Sequence, residues 1–523
     1  MESRSRTRPT RRRKRPASMI ARTVADAFTL HEPPGARSGF GFLDETSLHD
    51  LKTRAFDLLE NYGVVVVHPV AAAAFKKSGA KPGRDSDRLR LPRELVEEAL
   101  AATPKQVHLC GQTPALDITL PRPDGGFIAR TGTGAHGYVD PRDAAYRNLD
   151  LDAVDDMAAV ANGLDEIGFI AHPFVHGVPE LTADIHSYGR LISRTHKHVW
   201  MQPYNKENID YLMRIAAIAA GGEAELRRRP LTSVITCSFS PLEFKYMDTE
   251  VIIQAGVFGV PIHACSLPSA GGTAPLSVAG AVLMAAAEII GMATMAHILS
   301  PGAPVIATPL MFTLDMRTGS ALQSCVESLQ SASMAIQLMK QGFGMLTHTY
   351  GSGADTPDVD LQSMAERTLL GQTVALSGAD ILGGLGQLEC ATVFSPVQAV
   401  LDNEVTAILR RFIRTPDVGA ESLNWDELSA VPAGGHFLDS DHTVKLCRDQ
   451  HMPKAFLRSD RDTYEKTGRR AAFEQARDMA LDLIAGAPPE GSLDEDQNRE
   501  IAKLTAHADI HIIEAYKGEV TVI

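Results

Sequence analysis

The sequence predicts an α/β fold: a (β/α)8 TIM barrel with an N-terminal helical/β extension and a C-terminal helical segment. The main observation is a repeated unit, in which an apolar run is followed by a polar or Gly-rich loop and then by an amphipathic helix. Seven such units, each of about 30 to 40 residues, begin at residue 167. Repeated strand–helix units indicate a parallel sheet, and seven of them favour a closed barrel over an open sheet.

The apolar runs are the predicted barrel strands. They are IGFIAHPFV (167–175), HVWMQPY (198–204), TSVITCSFS (232–240), VPIHACSLP (260–268), PVIATPLMF (304–312), GMLTHTY (344–350) and ADILGG (379–384). Helices are predicted between them, including 208–220, 277–299, 319–341 and 364–376. The eighth strand has no obvious run. One candidate is VPAGGHF (431–437), and another lies nearer the C-terminus.

Changes in composition divide the chain into four parts. Residues 1–39 form a basic arm, 40–149 the extension, 150–460 the barrel and 461–523 the C-terminal helical segment. Seven Arg and one Lys fall within the first fifteen residues. A basic stretch this short is most often a solvated tail. The alternative is that it binds an acidic partner or a neighbouring subunit.

The composition, with 44% hydrophobic and 22% charged residues, is that of a soluble globular enzyme. A net charge of −13 argues against a general nucleic-acid-binding protein. Six cysteines without a CxxC pair, and the lack of an N-terminal signal, predict a reduced cytoplasmic protein. The segment 278–299 is apolar enough to suggest a membrane span. Because Glu288 and His297 interrupt it, a buried barrel helix is the better interpretation.

Polar and aromatic side chains gather where the predicted strands end, and a barrel brings such positions together at one mouth. The most informative stretch is GMLTHTYGSGADTP (344–357), where a strand with His348 and Tyr350 breaks into a Gly-rich loop. Aromatic faces around a cavity attract a quaternary ammonium, each by ~0.5–2 kcal/mol. An arginine such as Arg317 would pair with a carboxylate on the same ligand. Together these features fit a zwitterion with a trimethylammonium and a carboxylate.

Other kinds of site are less well supported by the sequence. The possible metal ligands lack a diagnostic spacing: His172 with His176, His263 with Cys265, and His442 with Cys447 and His451. There is no GxSxG nucleophile elbow and no P-loop. The segment GGTAPLSVAG (271–280) places a Gly-rich turn before a helix, which would favour an anion or be simply a tight loop.

Several motifs, in order along the barrel pattern, resemble the trimethylamine methyltransferase superfamily from about residue 40 to 460. They are the Arg-rich start, GTGAHGYVDPRDAAYR (132–147), LPSAGGTAPLSVAGA (267–281), the loop 351–362 and GGHFLDSDHT (434–443). Founding members carry pyrrolysine in the loop after the sixth of these strands. The matching position falls near Thr356 or Pro357, which are ordinary residues. The chain therefore resembles the members without pyrrolysine, the glycine betaine methyltransferases.

This resemblance implies a methyltransferase that moves a methyl group from a quaternary amine to Co(I) of a corrinoid protein. Glycine betaine, giving dimethylglycine, is the expected substrate. We expect no tightly bound cofactor and no protein-bound metal, a cobalamin or other corrinoid carried by a partner protein, and a homo-oligomer. The alternatives are a metal-assisted barrel hydrolase and a non-catalytic betaine-binding protein.

The resemblance and the strand-end positions together give the candidate site residues. The catalytic candidates are His348, Tyr350 and Asp355. The substrate-binding candidates are Arg317, Tyr138, Trp200, Phe239, Glu243 and Phe394. The candidates for loops that face the corrinoid are Gly271, Gly272, Thr273, Gly351, Ser352 and Asp358.

Overall fold

A closed barrel of eight parallel strands forms the centre of the computed structural model, which describes residues 40–85, 87–132, 134–488 and 491–517. The strands follow one another around the barrel in chain order. They are β1 (Ile128–Thr131), β2 (Ile167–Ala171), β3 (His198–Met201), β4 (Thr232–Cys237), β5 (Ile262–Ser266), β6 (Val305–Pro309), β7 (Leu346–Tyr350) and β8 (Ile381–Leu385). The predicted basic arm, 1–39, lies outside the described residues.

Each strand is followed by a helix, as a (β/α)8 barrel requires. The helices are α1 (Leu151–Gly163), α2 (Ala183–Arg194), α3 (Asn208–Ala220), α4 (Tyr246–Phe258), α5 (Val278–Leu299), α6 (Val326–Gln337), α7 (Leu361–Leu376) and α8 (Pro396–Phe412). Asp150 caps α1 by accepting a hydrogen bond from the Ala153 amide, as its position before an apolar-periodic segment predicts. All seven predicted strands are confirmed.

The eighth strand is not where the sequence analysis sought it. It is β1, which lies before the other seven and inside the segment assigned to the extension. The candidate 431–437 has no strand, and no described residue after Phe394 belongs to one. The barrel therefore begins about twenty residues before the predicted boundary at residue 150. The strand was missed because it is only four residues long and carries the charged Arg130 at its centre.

The N-terminal extension covers the most apolar helix of the barrel. Its helices Glu45–Asp57, Pro69–Lys77 and Arg93–Ala102 all pack against α5. Although α5 is long and apolar enough to cross a membrane, most of it is buried within the fold. Glu288 in this helix accepts hydrogen bonds from the hydroxyls of Ser238, Ser240 and Ser266 and from the Leu242 amide. The glutamate that interrupts the apolar run thus ties α5 to the ends of β4 and β5.

Small sheets and further helices complete the fold. Two sheets formed by loops after the barrel strands lie at the mouth: Gly137–Val139, Tyr146–Asn148, Gln387–Leu388 and Val393–Phe394, and Ser269–Ala270, Phe312–Leu314 and Ala321–Leu322. The others are Lys81–Pro82, Val64–Val66, Arg88–Arg90 and Glu243–Phe244, and the pair Val107–Leu109 and Ile118–Leu120. The C-terminal segment is helical, as predicted, with Arg461–Lys466, Ala472–Ala485 and Glu495–Lys517. The last two pack on α1 to α3 and α8.

Candidate active site

Five polar side chains form a continuous hydrogen-bonded chain through the barrel interior. Arg130 Nε lies 2.7 Å from His348 Nε2, and His348 Nδ1 lies 3.1 Å from His263 Nδ1. The Ser233 hydroxyl then bridges His263 Nε2, at 3.1 Å, and His198 Nε2, at 2.9 Å. All five residues are fully buried. Because each comes from a different barrel strand, the chain is assembled only when the barrel closes.

The two ends of this chain fix every proton in it. A guanidinium only donates, so His348 accepts at Nε2 and carries its proton on Nδ1. His263 therefore accepts at Nδ1 and donates from Nε2 to the serine hydroxyl, which donates to His198. At the far end His198 Nδ1 lies 3.2 Å from the backbone carbonyls of Cys110 and Pro230, which only accept. Each imidazole is thus neutral and has one defined tautomer.

Burial keeps the three histidines neutral. It lowers the pKa of His198 from 6.5 to about 3. It also holds the pKa values of His263 and His348 well below 6.5, and the positive Arg130 lowers both further. Around neutral pH the only positive charge in this hydrogen-bonded chain of five side chains is therefore the Arg130 guanidinium.

Arg130 is a buried cation whose hydrogen bonds are incomplete. Its Nη1 donates to the Thr131 carbonyl at 2.6 Å, whereas Nη2 has no partner. The guanidinium carbon lies 4.1 Å from the centre of the Trp200 ring, and the Trp200 indole N–H is also buried without a partner. Burial lowers the pKa of Arg130 to about 10, so the group remains charged at neutral pH. No carboxylate among the described residues pairs with it.

Such an arrangement is costly unless an anion completes it, because a buried charge without a partner loses several kcal/mol of hydration. The backbone makes room for the guanidinium at Gly383, where a Cβ atom would lie 2.6 Å from Arg130 Nη2. A buried charge with a free donor makes this part of the barrel a candidate ligand site.

A second buried group without partners lies in the loops at the mouth. Gln323 is 2% exposed, and neither its Oε1 nor its Nε2 has a hydrogen-bond partner. A Cβ atom at Gly353 would lie 2.6 Å from Gln323 Nε2, so the loop after β7 packs directly on this amide. Asp355 holds the two loops together by accepting from the amides of Gln323, at 2.7 Å, and Ser324, at 3.1 Å. Burial raises the pKa of Asp355.

A fully buried ion pair fixes the loops after β7 and β8. Arg367 Nη1 lies 2.7 Å from Asp402 Oδ2 and donates to Ser352 Oγ, at 3.1 Å. Arg367 Nη2 donates to the Gln387 carbonyl, and the Gly386 amide donates to Asp402. This pair was not predicted from the sequence. A charged residue on the inward face of each of two neighbouring barrel helices, α7 and α8, was the available signal.

The catalytic candidates lie at different depths. His348 and Tyr350 point into the barrel, where the Tyr350 ring centre is 5.8 Å from the Arg130 guanidinium carbon. Burial raises the pKa of Tyr350. Asp355 lies further out and shapes the loop, as its hydrogen bonds to two backbone amides indicate.

The structure does not bring the substrate-binding candidates together. The side chain of Arg317 is 90% exposed and pairs with Asp315, so it does not line the barrel. The guanidinium within the barrel belongs to Arg130, which the sequence analysis did not name. An arginine inside a short apolar segment, FIARTG, was the signal for it.

The expected aromatic cage is also dispersed. The rings expected to form it are those of Tyr138, Trp200, Phe239 and Tyr350, and of these four only Trp200 and Tyr350 lie in the barrel. Tyr138 is buried in the sheet at the mouth, where its hydroxyl donates to Asp156 at 2.8 Å. Phe239 is 51% exposed, with Lys245 Nζ 3.7 Å from its ring centre.

The two remaining substrate-binding candidates occupy small sheets. Phe394 pairs with the strand of Tyr138 at the mouth. Glu243 pairs with Val65 of the N-terminal extension.

The candidates for corrinoid-facing loops divide into rim and interior. Gly271, Gly272 and Thr273 form a turn on the rim, and Asp358 is exposed there. Gly351 and Ser352 are buried, and Ser352 holds Arg367. Among the described residues, no group of three or more His, Cys, Asp or Glu side chains is arranged to hold a metal ion.

Comparisons with known proteins agree with this architecture. The family model for trimethylamine methyltransferase (MTTB) matches residues 4–509. A trimethylamine methyltransferase of Desulfitobacterium hafniense is 28% identical over 451 residues, which cover 86% of this chain and 90% of that protein. A glycine betaine methyltransferase of the same species is 25% identical over 435 residues, with 82% and 89% covered. The monomethylamine methyltransferase structure from Methanosarcina barkeri shares the fold with a TM-score of 0.51 and 14% identity, covering 89% of this chain and 93% of that one.

Proposed function

Because the chain belongs to the trimethylamine methyltransferase (MTTB) family, and is therefore a methyltransferase, we propose that it demethylates a small betaine. Glycine betaine is the first choice of substrate, with dimethylglycine as the product. The methyl acceptor is a cobalt(I) corrinoid carried by a partner protein, and the chain itself needs no tightly bound cofactor.

The observation that carries this proposal is the incomplete Arg130 guanidinium in the barrel. A substrate carboxylate would accept a hydrogen bond from its free Nη2 and neutralise a charge that the described residues leave unpaired. Trimethylamine has no group that could do so. Among the substrates named for related proteins, glycine betaine is the one that carries a carboxylate.

The ammonium end of a betaine requires a different surface. The inward face of Trp200 is taken by Arg130, so this ring is not free to hold a second cation. Phe312 and Tyr350, in contrast, pack edge to face with ring centres 6.0 Å apart. We assign the trimethylammonium to these two rings, because their faces attract a cation and the Arg130 guanidinium carbon is farther from the Tyr350 ring centre, at 5.8 Å, than from that of Trp200, at 4.1 Å. The neutral state of His348 avoids repulsion of that cation.

The reaction needs little from the protein beyond orientation and the exclusion of water. The C–N bond breaks, the methyl group bonds to cobalt, and the tertiary amine leaves with the electron pair of the broken bond. A quaternary nitrogen is already positive, so this leaving group requires no proton donor. Arg130 would hold the carboxylate so that one N–CH3 bond points out of the mouth. The loop near Thr356 and Pro357, with ordinary residues, fits a substrate that needs no further activation.

The rim of the mouth is the proposed docking surface for the corrinoid protein. It includes the turn Gly271–Thr273 and the exposed Asp358. We also propose that the protein acts in the cytoplasm, where a reduced corrinoid can be maintained.

Methylation of free cob(I)alamin, followed by its visible spectrum, tests the proposal. Glycine betaine, trimethylamine and tetramethylammonium would be compared at equal concentrations, with Arg130→Met as the test variant and Arg317→Met as the matched control. We expect turnover of glycine betaine, a loss of about 10²-fold in kcat/KM for Arg130→Met, and little change for Arg317→Met. A loss of this size corresponds to about 2.7 kcal/mol of charge-assisted hydrogen bonding.

Two results would contradict the proposal. Turnover of trimethylamine or tetramethylammonium as fast as that of glycine betaine would remove the need for a carboxylate. Binding of glycine betaine without methyl transfer, to free or to protein-bound corrinoid, would favour a non-catalytic betaine-binding protein.

A further inference from the structure

Residues 415–453, which we call the arm, expose an unusual number of apolar side chains. The arm connects α8 to the C-terminal helices and contains three short helices, Ala420–Leu423, Trp425–Ala430 and Asp441–Leu446. None of its residues is buried. Nine large apolar side chains are at least 39% exposed: Val418, Leu423, Trp425, Leu428, Phe437, Leu438, Val444, Leu446 and Met452. The motif GGHFLDSDHT, which the proposed chemistry does not use, lies within the arm.

The apolar area of the arm is large enough for a stable interface. With roughly 100 Å² exposed by each of the nine side chains, the arm offers about 900 Å² of apolar surface. Soluble monomers rarely expose contiguous apolar patches of more than a few hundred Å². A standard protein interface buries about 800 Å² on each partner. The arm therefore has the surface of one side of such an interface.

The arm is rooted at the end of the barrel opposite the mouth. Barrel helices run antiparallel to the strands, so α8 ends beside the beginnings of the strands. The chain returns at Lys454, whose amide donates to Glu404 at 2.8 Å and whose Nζ lies 2.6 Å from Asp165, just before β2. A methyl acceptor has to reach the mouth, at the other end of the barrel. The position of the arm thus favours a different partner.

The same chain also carries an apolar surface that could receive an arm. Ile408 and Phe412, one helical turn apart on α8, are 37% and 58% exposed. Leu369, on the neighbouring α7, is 57% exposed. We call these three residues the α7–α8 face. A projecting surface and a receiving surface of like chemistry on one chain are what a two-fold symmetric dimer requires.

The charges of the two surfaces are complementary. The arm contains seven Asp and Glu but only two basic residues, Lys445 and Arg448. Beside the α7–α8 face, Arg411 at the end of α8 and Arg414 just after it are basic, whereas Arg410 is already paired with Glu166 of its own chain. Arg411 already donates to the Asp449 carbonyl of its own arm, at 3.0 Å.

We propose that two copies of this chain exchange arms, each arm packing on the α7–α8 face of the other copy. This exchange covers both exposed apolar surfaces at once, whereas a partner seated on the arm alone would leave the α7–α8 face bare. The proposal does not depend on the substrate of the enzyme.

Sedimentation velocity of the full-length protein, between about 1 and 50 µM, tests the proposal. We expect the wild-type chain to sediment as an even multiple of its 56.3 kDa mass. Leu438→Asp in the arm and Phe412→Asp on the α7–α8 face should each weaken the association by at least about tenfold. The matched control is Val257→Asp, which changes a half-exposed apolar residue on α4 and should associate like the wild type.

A mixing experiment tests the exchange itself. Each single variant loses both arm–face contacts of its own dimer. In a mixture of Leu438→Asp and Phe412→Asp, the heterodimer keeps one contact, between the intact arm of the second variant and the intact face of the first. We therefore expect the mixture to associate more tightly than either variant alone. If the mixture associates no more tightly than the single variants, the arms pair with each other and the proposal of an exchange is wrong.

Other outcomes would also overturn the proposal. A wild-type monomer at 50 µM, or arm variants that associate like the wild type, would remove the dimer. A monomer in which Leu438→Asp impairs only methyl transfer to the corrinoid protein would identify that protein as the occupant. A monomer whose arm becomes sensitive to protease after deletion of residues 1–39 would identify that basic segment instead.

Discussion

The barrel interior and the arm both depart from the usual distribution of polar and apolar side chains, and they do so in opposite directions. The interior holds polar groups where a barrel normally holds aliphatic side chains, and the arm exposes apolar groups where a surface is normally polar. Most of the interior polar groups satisfy one another, and two of the atoms that have no partner, Arg130 Nη2 and Trp200 Nε1, belong to side chains that stack on each other. In both regions the unsatisfied groups indicate what the isolated chain lacks. Inside the barrel we propose a ligand with an anionic end, and at the arm another protein chain.

The comparison predicts that interior polar groups are essential to stability, whereas surface ones are not. Asp402→Asn leaves the Arg367 guanidinium buried without its charge partner, and should lower the free energy of unfolding by about 3–5 kcal/mol. Asp210→Asn is the control, because it removes a similar pair, with Arg214, that is more than half exposed. It should change the free energy by less than about 0.5 kcal/mol. Guanidinium chloride unfolding measures the free energies of both variants. Equal losses would contradict the prediction that the buried pair matters more to stability than the exposed one.

The buried histidines predict a loss of stability in acid. Folding lowers the pKa of His198 from 6.5 to about 3, so between these values the unfolded chain binds a proton that the folded chain does not. Stability is therefore complete above pH 6.5 and falls as the pH decreases, by about 1.4 kcal/mol per pH unit for each such histidine. His263 and His348, whose pKa values are also lowered, add to this slope. Unfolding curves between pH 7 and 4 measure it.

The replacement of one histidine checks the origin of that slope. In His198→Asn the proton uptake on unfolding should fall by about one. An unchanged uptake would mean that other groups cause the acid sensitivity.

The direction of the hydrogen-bonded chain can be tested by nitrogen-15 NMR of histidine-labelled protein. At pH 7 we expect His348 and His198 to be protonated on Nδ1 and His263 on Nε2. His263 is hydrogen-bonded to both His348 and Ser233, so it links the two halves of the hydrogen-bonded chain. His263→Gln should therefore lower kcat/KM for glycine betaine by about tenfold, equivalent to about 1.4 kcal/mol. A charged imidazole at any of these three positions, or the same tautomer at all of them, would show that the assignment is wrong.

The smallest effect is expected in the arm. Trp425→Ser removes a side chain that is 69% exposed and therefore contributes little to the core of its own chain. It should change the free energy of unfolding of the isolated chain by less than about 0.5 kcal/mol, measured at a concentration where the chain is monomeric. A loss of several kcal/mol would mean that the arm belongs to the folding core of its own chain.

The sequence was a good guide to the fold wherever the apolar pattern was regular. Seven strands of the barrel follow long apolar runs, and each is present in the structure. The eighth, β1, is broken by Arg130, so apolar periodicity could not identify it. The position of the same arginine explains why the buried cation was not predicted. The predicted charged candidates were residues in loops at strand ends, such as the exposed Arg317, whereas Arg130 lies within a strand.

Contacts distant in sequence were beyond the reach of pattern analysis. His348 was singled out, but its partners on β1 and β5 are 218 and 85 residues away. Glu288 was recognised as unusual in an apolar helix, yet its role depends on three serines from loops and strands that only the fold brings near it. Residue type identified the unusual side chains, and closure of the barrel determined their partners.

Calorimetric titration of the enzyme alone with glycine betaine and with tetramethylammonium shows whether Arg130 recognises a substrate carboxylate. These two quaternary amines differ in the carboxylate, and binding needs no methyl acceptor. We expect the wild-type protein to bind glycine betaine at least about 10²-fold more tightly than tetramethylammonium. In Arg130→Met that preference should nearly disappear. An equal preference in the two proteins would show that Arg130 does not recognise the carboxylate, and would contradict the account.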